Sequence, residues 1–405
     1  MHRLVSVRSK SPPVSLRVGV NGFSRYYNTN NLHSVNSYST AQPRTRNTSK
    51  DEDGPLMLHH EWIIDGKVQT SPPSLSLTST STSTSTSTVH RNTRNNDVIV
   101  FLHGLLGNNK NLRTPAKKLS QQTGVNALML DLRGHGLSQL QLQSNTHSGN
   151  NNTHNRSHSH HSIHNCANDV IHTLQQLNLT GLSSPKYICG HSFGGRCALA
   201  YHHILATSPS TQVKLPQHTW ILDSCPGKAH SSVANVIHAV SSIQMPVRSK
   251  QQLVQILTQE KHIDHSIASW MTTNLKQVQH QHQHQHHEKG FDFMFDLQVV
   301  HSILNDFGNQ DMMHQLRECM LHSNYDIDSN SDMNTVSSTS TSTIHKVIAS
   351  RNDSWSPDIL QELNSIQSMQ HANAHANLNL VTLDAGHWVH VDALDALLEQ
   401  MVKEF

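Results

Sequence analysis

The chain has 405 residues, of which 30 are lysine or arginine, 28 are aspartate or glutamate and 35 are histidine, and its net charge is +2 at pH 7 with neutral histidines. This length allows one large domain with additional polar segments, and the balanced charge gives no electrostatic reason to expect a nucleic-acid partner. No apolar run approaches the roughly 20 residues that span a bilayer, so no transmembrane segment is predicted.

The first fifty residues have the composition of a targeting signal. They carry eight lysine and arginine residues, and no acidic residue precedes Asp51. A basic, acid-free stretch rich in serine and asparagine is typical of a mitochondrial transit peptide. Residues 1–50 are therefore predicted to be a transit peptide and disordered leader, and the protein to be located in the mitochondrial matrix. Removal of the leader leaves 22 basic against 28 acidic side chains, a net charge of about −6.

Four tracts of low complexity interrupt the rest of the chain. Residues 78–88 alternate serine and threonine, residues 143–165 are rich in asparagine, histidine and serine, residues 277–287 repeat glutamine and histidine, and residues 326–343 are rich in serine, threonine, asparagine and aspartate. Such sequences bury too little apolar surface to offset the entropy lost on ordering. They are predicted to be disordered insertions within a single domain of residues 56–405, where long loops cost little.

Short apolar runs alternate with amphipathic stretches between these tracts. The runs predict strands at 98–102, 127–131, 187–191, 219–223, 345–349 and 378–383, with an antiparallel edge strand near 58–64. The stretches predict helices near 112–122, 163–178, 195–206, 357–368 and 391–403. This alternation is typical of an α/β fold with a mostly parallel central sheet and helices on both faces. Helical periodicity after Gly227 predicts a helical lid at about 227–340.

A glycine-flanked serine follows the strand at 187–191. The pentapeptide GHSFG at 190–194 matches the G-x-S-x-G pattern, in which a sharp strand-to-helix turn exposes the serine, here Ser192, as a nucleophile. The glycine-punctuated loop HGLLG at 103–107 follows an earlier strand, where such enzymes build half of the oxyanion hole. The backbone amides of Leu105 and Phe193 are therefore the predicted oxyanion donors.

The general base and the acid are expected further along the chain. His387 follows the last strand, and the order Ser, Asp, His along the chain matches this class of hydrolase, with His390 ranked second as base. Two aspartates compete for the third place, because Asp223 and Asp353 both follow predicted strands before the histidine. Either would orient the imidazole, and the residues alone leave the choice open.

Seven segments together resemble one group within the α/β-hydrolase superfamily. They are HGLLGNNKNLRTPAKKLSQQTG, LMLDLRGHGLS, GHSFGG, ILDSCPG, MTTNLK, FMFDLQ and AGHWVHVD, and they extend from about Asp97 to Asp392. The chain resembles the mitochondrial α/β-hydrolase domain proteins of type eleven and the bacterial YbfF-type esterases. This resemblance favours Asp223 as the acid, because the relatives often lack a carboxylate at the position of Asp353. Asp353 stays a rival because this chain has an acid there.

The resemblance implies a serine hydrolase that cleaves carboxylic esters, such as lipid esters, or acyl thioesters through a Ser-His-Asp triad, with no cofactor. It also implies a second possibility, a catalytically weak binding protein that protects a partner in the mitochondrial matrix, for which a 2-oxoacid dehydrogenase complex is the candidate. The histidine-rich tract at 280–287 lacks cysteine pairs or an H-E-x-x-H motif beside it. No dedicated metal site is therefore predicted.

Overall fold

The computed structural model describes residues 54–73, 96–139, 161–208, 212–280, 288–321, 342–368 and 376–405. The predicted leader and the tract at 78–88 lie outside the described residues, as do residues 143–160, 281–287 and 326–341 of the other three tracts. In the part of the chain that is described, every helix is too short or too polar to cross a membrane.

The described residues form ten strands, in chain order β1 (His60–Ile64), β2 (Lys67–Gln69), β3 (Val98–Leu102), β4 (Asn126–Leu130), β5 (Tyr187–His191), β6 (His218–Leu222), β7 (Leu275–His280), β8 (Glu288–Phe293), β9 (Ser342–Ala349) and β10 (Ala376–Leu383). Strands β7 and β8 pair as a separate antiparallel hairpin. The other eight form one sheet in the order β10-β9-β6-β5-β3-β4-β1-β2. Six of these strands run parallel, and only β1 and β2 are antiparallel to their neighbours.

The same residues form eleven α-helices, which are α1 (Arg113–Thr123), α2 (Ile163–Gln176), α3 (Phe193–Thr207), α4 (Ser231–Ser241), α5 (Lys250–Gln255), α6 (His265–Met271), α7 (Leu297–Asp306), α8 (Met312–Leu321), α9 (Pro357–Ser368), α10 (Val389–Asp392) and α11 (Leu394–Val402). Helices cover both faces of the sheet. Residues of α2 and α3 pack on one face with Val100 and Ile188, and residues of α1 and α11 pack on the other with Ile99 and Phe101. The predicted α/β architecture is confirmed.

The edge of the sheet beside β4 differs in detail from the prediction. Strand β1 pairs antiparallel with β4 as expected, but the short strand β2 occupies the edge beyond it. Asp65 and Gly66 join the two strands with positive φ values of 49° and 73°, which is the geometry of a two-residue hairpin turn. All three residues of β2 are exposed, and a strand this short offers little edge for pairing with another chain.

The predicted lid is only partly helical and ends earlier than expected. Helices α4 to α7 and the β7–β8 hairpin share an apolar cluster that includes Val240, Leu253, Met271 and Phe293. Helix α8 instead packs on the sheet with α3 and β6, through Leu316 against Leu199 and Ile221. The lid therefore spans about 231–306, because the apolar face of α8 fits the main domain rather than the lid cluster.

Three predicted insertions extend too far into ordered elements. Ile163, the first residue of α2, follows Ser162, whose hydroxyl accepts a hydrogen bond from the Asn165 amide at 3.1 Å. Residues 277–280 belong to β7, and residues 342–343 begin β9. Polar composition hides these boundaries, because hydrogen bonds of a cap or a neighbouring strand order residues that bury little apolar surface.

Candidate active site

Ser192 lies in the turn between β5 and α3. Its φ of 53° and ψ of −114° are strained for a residue with a side chain, which is the expected feature of a nucleophile turn. Two flanking glycines make this turn possible, since a Cβ at Gly190 would collide with the Gly194 carbonyl and one at Gly194 with the Leu102 carbonyl. The absence of these side chains lets the start of α3 approach the ends of β3 and β5.

His387 and Asp223 form a direct pair beside this turn. His387 follows β10, and its Nδ1 donates a hydrogen bond to Asp223 Oδ2 at 2.6 Å. The Asp223 side chain is 0% exposed, whereas 39% of the His387 side chain is exposed. Asp223 follows β6 and has a φ of 43°. Strands β6 and β10 lie on either side of β9 in the parallel sheet, so both residues follow strand ends at the same edge of the sheet, although 164 residues separate them in sequence.

The Asp223 carboxylate is held by further donors from the last residue of β9 and from the segment after it. The Ala349 amide and the Trp355 indole donate to Oδ1 at 3.1 and 2.6 Å, and the Asn352 side chain donates to Oδ2 at 2.6 Å. Charge-assisted hydrogen bonds of this kind stabilise a buried carboxylate and fix its direction. Asp353, the rival acid, is exposed in the same segment. The structure therefore brings Asp223, rather than Asp353, to His387.

His191 is a neighbour of this pair that sequence reasoning did not single out. Its Nε2 donates to the His387 carbonyl at 2.8 Å, which ties the loop that carries the imidazole to the end of β5. Burial lowers the pKa of His191 and keeps the ring neutral. His390 contacts the His191 ring at a centroid distance of 4.4 Å, and burial lowers the pKa of His390 to about 3. The position of His191 inside the G-x-S-x-G motif was the only signal available.

The loop after β3 is organised by two neutral histidines. His103 donates from Nδ1 to the Gly104 carbonyl at 2.8 Å and accepts at Nε2 from the Leu132 amide at 2.9 Å. His135 similarly accepts from the Leu106 amide at 3.1 Å. Burial lowers the pKa of both rings, for His135 to about 3. Both ring nitrogens of His103 are thus engaged by the main chain.

Of the predicted oxyanion donors, Phe193 directly follows Ser192 and Leu105 belongs to the loop after β3. Leu105 lines the same cavity as Ser192. Phe193 is the first residue of α3, so its amide has no acceptor within the helix. The Phe193 side chain is buried in the core on the α3 side of the sheet. The Phe193 amide therefore lies next to Ser192 at the N-terminal end of α3, where the helix dipole favours negative charge.

A cavity of about 660 Å³ opens above Ser192 and is also lined by Asp223 and His387. Its walls are mainly apolar, and the lid contributes Val236 from α4 and Trp270 from α6. Cavities of this size and character are typical sites for small organic ligands.

The lid is attached to the main domain through the segments that carry the family resemblance. Asn108 donates through its side chain to the Asn274 side chain at 2.7 Å. On the other side, the Gly136 amide donates to the Met294 carbonyl at 2.6 Å, and the Asp296 amide donates to the Gly134 carbonyl at 2.8 Å. The loops after β3 and β4 therefore attach the lid to the main domain near Ser192. These contacts give a structural role to the sequence segments that carry the family resemblance.

Comparisons with known proteins agree with this fold. The family described as "Serine aminopeptidase, S33" matches residues 93–291. The chain is 26% identical over 187 residues to a protein of Danio rerio named "sn-1-specific diacylglycerol lipase ABHD11", a match that covers 44% of this chain and 50% of that protein. It is 30% identical over 192 residues to a "putative esterase/lipase" of Haemophilus influenzae, covering 45% of this chain and 53% of that one. The matches therefore span about half the length of these relatives.

Among solved structures, the E-2-(acetamidomethylene)succinate hydrolase is similar with a TM-score of 0.50 at 14% identity, over 76% of this chain and 90% of that one. The chain therefore has the α/β-hydrolase fold. In sequence it is similar to the S33 family over residues 93–291 and to the lipase and esterase relatives named above.

Proposed function

We propose that the protein is a serine hydrolase that cleaves carboxylic ester bonds with Ser192, His387 and Asp223. The observation that carries the proposal is the 2.6 Å contact between His387 Nδ1 and the buried Asp223 carboxylate beside a strained serine turn. A buried carboxylate that fixes the imidazole through Nδ1 leaves Nε2 as the proton acceptor that a serine nucleophile requires. Asp353 has no part in the proposed reaction.

The reaction proceeds in two stages of acyl transfer. The Ser192 hydroxyl attacks the carbonyl carbon of the ester or thioester while His387 accepts its proton, and the amides of Leu105 and Phe193 stabilise the resulting oxyanion. His387 then gives the proton to the departing alcohol or thiol, which leaves an acyl-enzyme. Water activated by the same imidazole attacks this intermediate and releases the acid and the free serine.

The proposed substrates are lipid esters or acyl thioesters. The apolar lid residues on the cavity wall, including Val236 and Trp270, suit an acyl chain. The names of the Danio rerio and Haemophilus influenzae relatives, a diacylglycerol lipase and a putative esterase/lipase, support this class. Because the apolar residues of the lid line the cavity, the lid is the part of the protein that would select the length of the substrate's acyl chain.

Labelling with a fluorophosphonate probe tests the proposal, with Ser192→Ala as the control. We expect labelling of the parent protein that the substitution abolishes, together with hydrolysis of p-nitrophenyl esters or acyl-CoA thioesters in a graded chain-length series. Absence of Ser192-dependent labelling would instead support the alternative of a binding protein that retains the hydrolase fold.

A mitochondrial matrix location is part of the proposal and rests on the composition of residues 1–50. Import of the radiolabelled chain into isolated mitochondria, with shortening by the matrix peptidase, tests it. Retention outside the organelle would contradict it. A dehydrogenase-complex partner rests on the family resemblance alone, and co-purification from mitochondria tests that prediction.

A further inference from the structure

A second group of chemically versatile side chains lies far from Ser192. His218 begins β6, His345 lies on the adjacent strand β9, and Glu404 follows α11 near the end of the printed sequence. His218 Nδ1 lies 3.0 Å from His345 Nε2 and 3.5 Å from a carboxylate oxygen of Glu404. Among the described residues, this is the one group of at least three histidine, cysteine or acidic side chains whose donor atoms converge in this way.

The hydrogen bonds around His345 indicate which nitrogen of its ring carries the proton. The Asn379 side-chain amide donates to His345 Nδ1 at 3.2 Å, so the His345 proton resides on Nε2 and is donated to His218 Nδ1. With the Asn379 amide in this orientation, no proton remains between His218 Nδ1 and Glu404. A cation at this point would offset the repulsion between the carboxylate and the nitrogen lone pair.

We propose that His218, His345 and Glu404 form a binding site for a divalent zinc-type cation. Two imidazoles and one carboxylate are a donor set that zinc accepts, with a fourth position left for water. Ligand atoms of a tetrahedral zinc are about 3.3 Å apart, which follows from bonds of about 2.0 to 2.1 Å. The distances of 3.0 and 3.5 Å are close to this value. Glu404 is partly exposed, at 32% of its side chain, and so is free to adjust its rotamer to complete the site.

The surroundings of His345 suit a ligand. Its ring lies parallel to Trp220 at a centroid distance of 4.0 Å, which fixes the ring plane. Cation binding at Nε2 moves the His345 proton to Nδ1, which then requires an acceptor. Rotation of the Asn379 side-chain amide by half a turn replaces its NH₂ group with its oxygen and supplies that acceptor. Asn379 is thereby a positioning residue for the proposed ligand.

The site would fasten the end of α11 to the sheet and is separate from the proposed catalysis. His218 pairs in register with Tyr187, the first residue of β5, whereas Ser192 follows the last. Five residues of extended strand separate Tyr187 from Ser192, a distance of about 16 Å. Cation binding is therefore expected to stabilise the folded protein without supplying a group to the reacting ester.

Metal titration of the full chain tests the proposal in a background that reduces adventitious binding. The tract at 280–287 contains several histidines, so His282, His284, His286 and His287 are first replaced by glutamine. We expect this parent to bind one zinc ion per chain, to show a higher melting temperature with zinc, and to give the visible absorption of four-coordinate cobalt when loaded with Co²⁺. Asn379→Leu should weaken binding about tenfold, which is the usual effect of losing a group that orients a ligand.

His218→Gln and Glu404→Gln are the decisive variants, since both residues are only partly buried and their replacement should leave the fold intact by circular dichroism. Each should abolish the zinc-dependent rise in melting temperature and the cobalt spectrum. His314→Gln is the matched control, because His314 also lies beside a glutamate, Glu318, at 3.4 Å, and it should behave as the parent does. Equal zinc affinity in the parent and both variants would overturn the proposal. Fluorophosphonate labelling of Ser192 should be unchanged in every variant, so failure of the metal site is distinguishable from failure of the proposed hydrolase activity.

Discussion

At the scale of single residues, the proposed chemistry depends on the hydrogen bonds that surround Asp223. Asp223 accepts hydrogen bonds from His387, Asn352 and Trp355, and from the Ala349 amide, in a fully buried position. These donors stabilise the ionised carboxylate and hold its direction. The donors from Asn352 and Trp355 also explain why the segment that contains Asp353 matters for the site, although the Asp353 side chain is exposed.

Replacement of Asp223 by asparagine should therefore lower kcat for ester hydrolysis by about 10⁴-fold, because the amide favours the wrong imidazole tautomer. Asp353→Asn is the matched control and should leave kcat unchanged. Steady-state kinetics with a p-nitrophenyl ester measure both. A larger loss in Asp353→Asn than in Asp223→Asn would show that the exposed residue is the acid.

At the scale of elements, helix α4 contributes to the cavity wall and strand β9 contributes a buried lysine to the core. Helix α4 presents Val236 to the cavity and Asn235 to solvent. Strand β9 carries Lys346, which is fully buried and donates to the Ser224 carbonyl at 2.8 Å. Helix α4 thus shapes the wall of the cavity. Strand β9 carries a lysine whose charged form is destabilised by burial.

Filling the cavity from α4 should change chain-length preference. Val236→Trp adds a large ring to the wall, so we expect kcat/KM for long acyl esters to fall by at least tenfold while that for acetyl esters is retained. Asn235→Trp places the same ring on the exposed face of the helix and should preserve the parent's preference. A uniform loss over all chain lengths in Val236→Trp would contradict a role for this wall in acyl selection.

Lys346 should make stability depend on alkaline pH. Burial lowers its pKa from 10.5 in the unfolded chain to about 8 in the folded protein. As the pH falls, Lys346 therefore takes up its proton in the unfolded chain before it does so in the folded protein. The charged, buried lysine lowers the free energy of unfolding by its full amount below pH 8 and not at all above pH 10.5. Relative to Lys346→Met, the free energy of unfolding of the parent should rise by about 3 kcal/mol across this window.

Urea unfolding of both proteins at several pH values measures this difference, and comparison with Lys346→Met cancels the other titrating groups. Parallel pH profiles for the two proteins would show that Lys346 keeps an ordinary pKa in the folded state.

At the scale of the whole molecule, a buried ion pair joins parts of the chain that are distant in sequence. Arg133 donates to both carboxylate oxygens of Asp169 at 2.7 Å, and Asp169 also accepts from the Leu56 amide at 2.7 Å. The contacts connect the loop after β4, helix α2 and the segment before β1. This pair therefore supports the same loop that contacts the lid through Gly134 and Gly136.

Asp169→Asn removes the negative charge opposite the buried Arg133 guanidinium and should cost about 3 to 5 kcal/mol of unfolding free energy. The double variant Arg133→Met, Asp169→Asn removes both charges and keeps an oxygen acceptor for Leu56, so it should recover part of that loss. Thermal and urea unfolding measure both effects. A double variant less stable than Asp169→Asn would contradict the account based on an uncompensated charge.

Local patterns predicted most of the fold because they depend on neighbours in sequence. The apolar run at 98–102 predicts a strand from its own residues alone, and the pentapeptide around Ser192 predicts a turn in the same way. Insertion boundaries were less predictable, as residues 277–280 show, because strand pairing across the β7–β8 hairpin orders a polar sequence. The end of the lid was also hard to predict from the sequence, since the packing partners of α8 are remote in sequence.

The sequence by itself determined the α/β class and the candidates Ser192 and His387. The glycine spacing of a nucleophile turn and the apolar runs of buried strands are local features that the sequence shows directly. Only the tertiary structure decided that Asp223 and not Asp353 contacts His387, and that His218, His345 and Glu404 meet. Burial and the convergence of side chains from separate strands depend on which strands become neighbours. That order is set by the packing of the whole core, which no single stretch of sequence contains.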